Sequence, residues 1–304
     1  MKIVIGIPAF NEEKNIAAII CKLKKITNTI IVCDDGSSDL TGKISEEMNT
    51  ILVSHLTNQG YGSAINSIFQ KAKEIQSDVL ITFDADGQHR IEDIETILSP
   101  IKNNQADIVI GSRFLESSDS EVPKYRKVGI KTITKITNST LKEDLTDSQS
   151  GLRAYSKNAL EKIDLREKGM GISTEILIKG SKAGLKIVEV PIKILYHKDS
   201  STYDPVSHGI SVIYTTLRLI TIQRPLTFYG IPGLTFLIIG LVFVGWTLQM
   251  YAESGNIVTN VTLIGIGLSI IGVLLLITAT ILYSILVILS EKKKLNGGNF
   301  HNLK

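Results

Sequence analysis

Asp84-Ala85-Asp86-Gly87-Gln88-His89 sets two carboxylates two residues apart, directly after the apolar run Val79-Leu80-Ile81-Thr82-Phe83. That run is short, continuous and rich in β-branched residues, the pattern of a strand buried on both faces of a parallel sheet. Open α/β sheets bind ligands just beyond the C-terminal ends of their strands. Asp84 and Asp86 can therefore turn towards one hard cation, of the kind shared with substrate phosphates. The alternative is a polar turn without a ligand, since Asp and Gly are ordinary turn residues.

Other polar loops follow other apolar runs in the same way. Pro8-Ala9-Phe10-Asn11-Glu12-Glu13 follows Ile3 to Ile7, Asp34-Asp35-Gly36-Ser37-Ser38-Asp39 follows Thr29 to Cys33, and Gly111-Ser112-Arg113-Phe114 follows Asp107 to Ile110. Asn58-Gln59-Gly60-Tyr61-Gly62-Ser63 follows Ile51 to His55. Its glycines can present backbone N–H groups to phosphate at a helix start, or simply satisfy turn geometry. Asp34 and Asp35 can likewise cap a helix from about Leu40. Between the loops, apolar residues fall on one helical face, as at Ile16, Ile19, Ile20 and Leu23, with further helices expected over 64–75, 91–101 and 173–183. A short strand enters at about Tyr155 and another runs from Lys186 to Val190. Strand, polar loop and helix in repetition predict an α/β fold, a Rossmann-like and mostly parallel sheet with helices on both faces and its unusual loops along one edge.

The chain has 304 residues and a net charge of +3, a balance that gives no sign of a nucleic-acid partner. Cys21 and Cys33 lack zinc-type or CxxC spacing and read as thiols in a reducing compartment. The opening apolar run is too short for a signal peptide and leads straight into Pro8, so the first 205 residues are expected to form a cytosolic domain. Within it, the basic segment 124–141 sets Val128, Ile130, Ile133, Ile136 and Leu141 among lysines, which suits a membrane interface or a helix packed on the sheet. Residues 206–225 read as a linker or interface helix. Leu226 to Met250 carries no charge, and neither does Ile257 to Ser290. Each exceeds the roughly 20 residues that span a bilayer, which predicts a transmembrane hairpin over about 226–250 and 262–289. Arg218 and Arg224 precede the pair, Lys292, Lys293 and Lys294 follow it, and the turn holds only Glu253. That bias places both chain ends, including the basic tail 291–304, on the cytoplasmic side.

Together these motifs, with Asp147-Ser148-Gln149-Ser150-Gly151 and Val188-Glu189-Val190-Pro191, resemble the family 2 glycosyltransferases. The likeness is greatest to the dolichyl-phosphate mannose and glucose synthase branch and covers roughly residues 1–205. Five motifs in the right order are far more specific than any one of them. The resemblance implies a GT-A type α/β domain and transfer of a hexose, from GDP-mannose or a UDP-sugar such as UDP-glucose, to dolichyl or another polyprenyl phosphate with inversion. Pro8, Phe10 and Glu12 would hold the nucleoside together with Asp35, which reads the base. Asp84, Ala85 and Asp86 would face the donor diphosphate, with Asp84, Asp86 and Gln88 binding Mg²⁺ or Mn²⁺. Arg113 and Arg126 would grip the acceptor phosphate, and Asp147 and Gln149 would line the sugar side. Two departures from the pattern stand out. Ile130 stands where the branch has a hydroxyl residue, with Thr132 or Thr134 as substitutes. His197 and Lys198 stand in the stretch that corresponds to a loop of the branch whose arginine and lysine contact the diphosphate.

Two other functions fit parts of the pattern. A glycosyltransferase that extends a lipid-linked glycan or polysaccharide would carry a QxxRW-like motif and more spans, and the sequence shows neither. A non-catalytic nucleotide-sugar-binding membrane protein would not be expected to keep Asp84, Asp86 and Arg113 together.

Overall fold

The computed structural model describes residues 1–115, 122, 124–194, 221 and 225–298. The chain divides into two units, Met1–Thr216 and Leu217–Lys304.

The first unit is built on strands β1 (Ile3–Ala9), β2 (Ile30–Asp34), β3 (Ile51–Ser54), β4 (Val79–Thr82), β5 (Ile108–Ser112), β6 (Arg153–Ser156) and β7 (Ile187–Pro191). They form one seven-stranded sheet in the order β3-β2-β1-β4-β6-β5-β7. Every pairing is parallel except those of β6, which runs antiparallel to both β4 and β5. The helices are α1 (Ile16–Leu23), α2 (Thr41–Glu47), α3 (Tyr61–Glu74), α4 (Asp93–Lys102), α5 (Lys124–Asn138), α6 (Lys157–Lys162) and α7 (Ile172–Lys182).

The unbroken apolar strands follow from burial on both faces. Ile5, Ile7, Ile30, Val32, Val79 and Ile81 pack on one side with Ile16, Ile20 and Leu23 of α1 and Ile94, Ile97 and Leu98 of α4. Their neighbours Val4, Ile31, Cys33 and Leu80 pack on the other with Ile65, Ile68 and Phe69 of α3, Leu160 of α6 and Leu177 of α7. Period-two alternation thus supplies two cores from one sheet. The short α6, too brief to show an apolar period, starts at a Ser156 cap whose hydroxyl accepts the Ala159 N–H at 3.2 Å. Asp34 and Asp35 do not cap α2, which begins only at Thr41. Asp39, one residue before the N-cap position Leu40, accepts the Thr41 N–H at 2.9 Å.

Helix α5 packs on the domain for part of its length. Ile133, Thr134 and Thr137 are buried, while Val128 is 66% exposed. Its C-terminal half is thus part of the domain.

The second unit holds a π-helical turn, Leu226–Gly230, followed by α8 (Ile231–Ser254) and α9 (Thr259–Gly298). Gly255 ends α8 at φ 67°, the left-handed conformation that favours glycine. The two helices touch through small residues: a Cβ added to Gly272 would lie 2.5 Å from the Leu237 amide, and one on Gly265 would lie 3.0 Å from that of Val244. Leu226–Ser254 and Thr259–Ile288 have mean hydropathies of 2.1 and 2.7 yet only 17% and 11% of those windows are buried. An apolar surface so exposed is unlike that of a soluble core helix. By length and composition both helices can cross a membrane.

Candidate active site

The parallel strands β1, β2, β4 and β5 end at one edge of the sheet, and the antiparallel β6 begins there. That single reversal brings the loop 147–151 to the loops that follow Ala9, Asp34, Thr82 and Ser112. Phe10, Glu12, Asp35, Asp84, Asp86, Gln88, Arg113, Asp147 and Gln149 all sit on this edge, with Pro8 inside β1. Arg126 lies in α5, but its side chain is outside what the structure describes, and His197 and Lys198 lie outside the described residues.

The acidic motif is held on several sides. Asp84 Oδ1 accepts the Tyr61 hydroxyl at 3.1 Å, and its Oδ2 lies 3.1 Å from His89 Nε2. Gly151 packs on the same carboxylate so closely that an added Cβ would overlap it. The Thr82 hydroxyl donates to the Gly151 carbonyl at 2.7 Å, tying β4 to that loop. Burial pushes the Asp84 carboxyl up, but His89, Tyr61 and the Arg113 charge together outweigh it and leave Asp84 below the usual carboxylate range. Asp84 is therefore an anion. Asp86 Oδ1 accepts the Gln88 N–H at 3.0 Å. Burial, opposed by a hydrogen bond from Asn15 and reinforced by the charges of Asp86, Asp39 and Asp84, pushes Glu12 above its ordinary value. Negative charge is thus concentrated between the β1 and β4 loops.

Among the described residues no three His, Cys, Asp or Glu side chains converge on a metal-sized space. The donors available are two carboxylates and the Gln88 amide, all hard oxygens, in a field that already penalises further negative charge. Such a set fits Mg²⁺ or Mn²⁺, ions that take few protein ligands and complete their shells with phosphate and water.

The opposite side of the site is basic. Arg113 closes on Asp147 with two parallel bonds, Nε to Oδ2 at 2.6 Å and Nη2 to Oδ1 at 2.8 Å, and its backbone N–H reaches Oδ2 at 3.2 Å. Asp147 is fully buried. Burial pushes its carboxyl up, yet the Arg113 charge and hydrogen bonds hold it below the usual range. The Phe114 ring carries the Arg113 guanidinium at 5.8 Å and the Lys127 ammonium at 6.0 Å, within cation–π reach.

Asp35 is 3% exposed. It accepts the Gln59 N–H at 2.9 Å and the Gly60 N–H at 2.8 Å, and its Oδ1 lies 2.6 Å from His55 Nδ1. It therefore fixes the turn that opens α3. The glycines of that turn serve a close backbone approach. A Cβ on Gly60 would lie 2.6 Å from the Lys168 carbonyl, one on Gly62 would lie 2.6 Å from that of Gly169, and Ser63 N–H donates to Lys168 O at 3.1 Å. Of the two candidate hydroxyls on α5, Thr134 is buried against Ser148, Oγ1 to Oγ 3.0 Å, and Thr132 donates to the Val128 carbonyl.

Sequence reasoning did not single out Tyr61, Arg153 or Glu189 as parts of the site. Arg153 is 1% exposed and donates to the carbonyls of Ser148, Ser150 and Ser173 at 2.7, 2.8 and 3.0 Å, so it shapes the loop 147–151 from below. A charge within an apolar strand, as in Leu152-Arg153-Ala154 and Val188-Glu189-Val190, was the available signal, because such a group must be satisfied internally.

The chain is 37% identical over 235 residues to UDP-N-acetylglucosamine–dolichyl-phosphate N-acetylglucosaminyltransferase of Methanococcus voltae, covering 70% of this chain and 94% of that protein. It is 34% identical over 202 residues to dolichol-phosphate mannosyltransferase of Pyrococcus furiosus, covering 63% and 56%. A crystal structure of glucosyl-3-phosphoglycerate synthase from Mycobacterium tuberculosis, with Mn²⁺, UDP and glucosyl-3-phosphoglycerate, superposes with a TM-score of 0.56 at 19% identity, covering 71% of this chain and 79% of that one. That likeness establishes the GT-A fold of the first unit. The model of Glycosyl transferase family 2 matches residues 4–164, and the chain belongs to that family.

Proposed function

We propose that the protein transfers a hexose from a nucleotide-diphosphate sugar to a polyprenyl phosphate, with inversion at the anomeric carbon. The observation that carries this is the pairing of poles on one sheet edge: Asp84, Asp86 and Glu12 on one side, Arg113 held by Asp147 on the other. Relatives acting on dolichyl phosphate support the acceptor class, as does a second unit able to enter a bilayer. The donor's sugar and base stay open between GDP-mannose and UDP-sugars.

Asp84, Asp86 and Gln88 would hold Mg²⁺ or Mn²⁺, which when bound neutralises the donor diphosphate. Pro8, Phe10, Glu12 and Asp35 frame the nucleoside side. Arg113, together with Arg126, binds the acceptor phosphate and offsets its repulsion from the donor, a task suited to arginine's fork. Asp147 keeps Arg113 oriented, and Gln149, whose Nε2 donates to the Ser148 carbonyl at 3.2 Å and lies 3.3 Å from Thr174 Oγ1, would line the sugar side. An oxygen of the lipid phosphate attacks the anomeric carbon, the bond from that carbon to the diphosphate breaks, and the nucleoside diphosphate leaves. A phosphate monoester is already anionic near neutral pH, so no general base is required. The catalytic domain, taken as 1–205, and both chain ends lie on the cytoplasmic side.

The test is incubation of the purified full chain in detergent with polyprenyl phosphate and labelled UDP- and GDP-sugars. Label in an alkali-stable, acid-labile glycolipid, lost in Asp86→Ala, is expected. Label confined to a growing glycan would favour the extending enzyme, and binding of donor without any product would favour a non-catalytic protein.

A further inference from the structure

Val188-Glu189-Val190-Pro191 is a motif that the proposed reaction leaves without a part. Glu189 lies in β7, half-buried, between Val188 and Val190, which pack on the core. Its Oε2 accepts the Thr146 N–H at 2.7 Å and the Thr146 hydroxyl at 2.9 Å, and its Oε1 accepts the Asp147 N–H at 2.7 Å. Thr146 Oγ1 also lies 2.6 Å from Ser112 Oγ, on the last residue of β5. One carboxylate thus fixes two successive peptide groups and the hydroxyl between β5 and β7. The second of those residues is Asp147, whose side chain holds Arg113 at two points.

We propose that Glu189 is a positioning residue for the acceptor-phosphate site, fixing the 146–147 backbone so that Asp147 presents Arg113 in one orientation. A two-point arginine–carboxylate pair tolerates little rotation of either planar group. The orientation of Arg113 is therefore only as defined as the backbone that carries Asp147. Burial pushes the Glu189 carboxyl up while the Thr146 and Asp147 donors pull it back. Those donors match a carboxylate and not an amide, because a Gln at this position would set an NH₂ group against a backbone N–H. The acceptor part of the inference rests on the proposed function; the orientation of Arg113 does not.

The experiment uses the full chain in detergent, with Glu189→Gln and Glu189→Ala. Solvent exchange of the Arg113 Nε–H, assigned by its loss in Arg113→Lys, reads the orientation by ¹⁵N NMR without any substrate. It is expected to accelerate at least tenfold in both variants. In the transfer assay the KM for polyprenyl phosphate should rise about tenfold while UDP or GDP affinity stays within twofold. The Glu189→Gln, Arg113→Lys double variant should be no worse than Arg113→Lys alone. Unchanged exchange, or nucleotide affinity falling in step with acceptor affinity, would overturn the role. If Glu189→Ala does not fold, the near-isosteric Glu189→Gln decides. If the unaltered protein transfers no sugar to lipid phosphate, the proposed function fails while the exchange measurement still decides what Glu189 does.

Discussion

The Tyr61 hydroxyl donates to Asp84 Oδ1 at 3.1 Å from the first residue of α3, so the helix that closes one face of the sheet also orients the first carboxylate of the acidic motif. Burial, and after it the Asp84 charge, raises Tyr61 well above its ordinary value. The phenol is therefore a permanent donor at any working pH.

Replacing Tyr61 with Phe removes that donor and little else. Partners that orient metal ligands typically contribute 10–100-fold in metal affinity. The Mn²⁺ or Mg²⁺ concentration for half-maximal transfer is expected to rise about tenfold in Tyr61→Phe, with kcat recovered at saturating metal. Chelation of the unaltered protein should abolish transfer reversibly. An unchanged metal requirement in Tyr61→Phe would remove the phenol from the site.

Gly151 has no room for a side chain, because a Cβ there would overlap the Asp84 carboxylate. Gly151→Ala must push Asp84 aside, and a displacement of about 1 Å at reacting groups can lower a rate roughly 100-fold. A steady-state assay is expected to show a loss of that order. The thermal midpoint should move by only a few degrees, since β4 and β6 keep their backbone register.

The sheet and its two cores were legible because burial on both faces leaves β1, β2 and β4 as unbroken apolar runs. The site was legible where chemistry needs rare residues in fixed spacing, as at Asp84, Asp86 and Arg113. The antiparallel course of β6 was not, because four residues carry no directional signal, and that reversal alone brings Asp147 to Arg113. Gly60 and Gly62 allowed two readings, because a glycine pair before a helix looks the same whether it makes room for phosphate or for the carbonyls of 167–169. Glu189 acts on backbone atoms of Thr146 and Asp147, more than 40 residues earlier, and although a charge within an apolar strand marks it as satisfied internally, no local pattern encodes which groups satisfy it.

The clamp on Asp147 gives a signed pH dependence. Its folded pKa lies below the usual range, so between that value and the ~3.9 of an unfolded Asp the unfolded chain binds more protons. The contribution is complete above about pH 4 and is lost as pH falls through the folded value. Asp147→Asn removes the carboxylate of this buried ion pair, at a cost of about 3–5 kcal/mol. Denaturant unfolding of the first unit should show a gap of that size between the two proteins, constant from pH 8 to 5 and shrinking below pH 4. A gap still constant at pH 3 would mean that the charge of Asp147 contributes nothing.

Cys33 and Cys21 should differ sharply towards thiol reagents. Cys33 is fully buried, with Sγ 3.7 Å from His55 Nε2, while Cys21 is exposed. Burial and then the Asp35 charge push the Cys33 thiol up to about 12 against a hydrogen bond with Ser67. At pH 8 roughly one Cys33 in ten thousand is then thiolate, the reactive form. Iodoacetamide should modify Cys21 alone in the folded protein and both cysteines in denaturant, as read by intact mass. Modification of Cys33 at a comparable rate would mean that the β2 end opens.

The helical hairpin allows a paired test at two of its glycines. Gly233 and Gly272 meet α9 and α8 backbone respectively, with an added Cβ on Gly272 only 2.5 Å from the Leu237 amide, whereas Gly245 and Gly267 have nothing within 4 Å of that position. Within a bilayer, helices associate largely through such small-residue contacts, because lipid tails offer no hydrophobic drive for one helix to prefer another. Gly272→Leu should therefore force α8 and α9 apart, costing about 1–3 kcal/mol on the scale of overpacked cores. Gly267→Leu adds the same mass and hydrophobicity on an open face and should cost nearly nothing. Loss of helicity during titration with SDS reads the difference: the Gly272→Leu midpoint should fall well below that of the Gly267→Leu protein. Coincident midpoints would show that the backbone approach at Gly272 does not hold the two helices together.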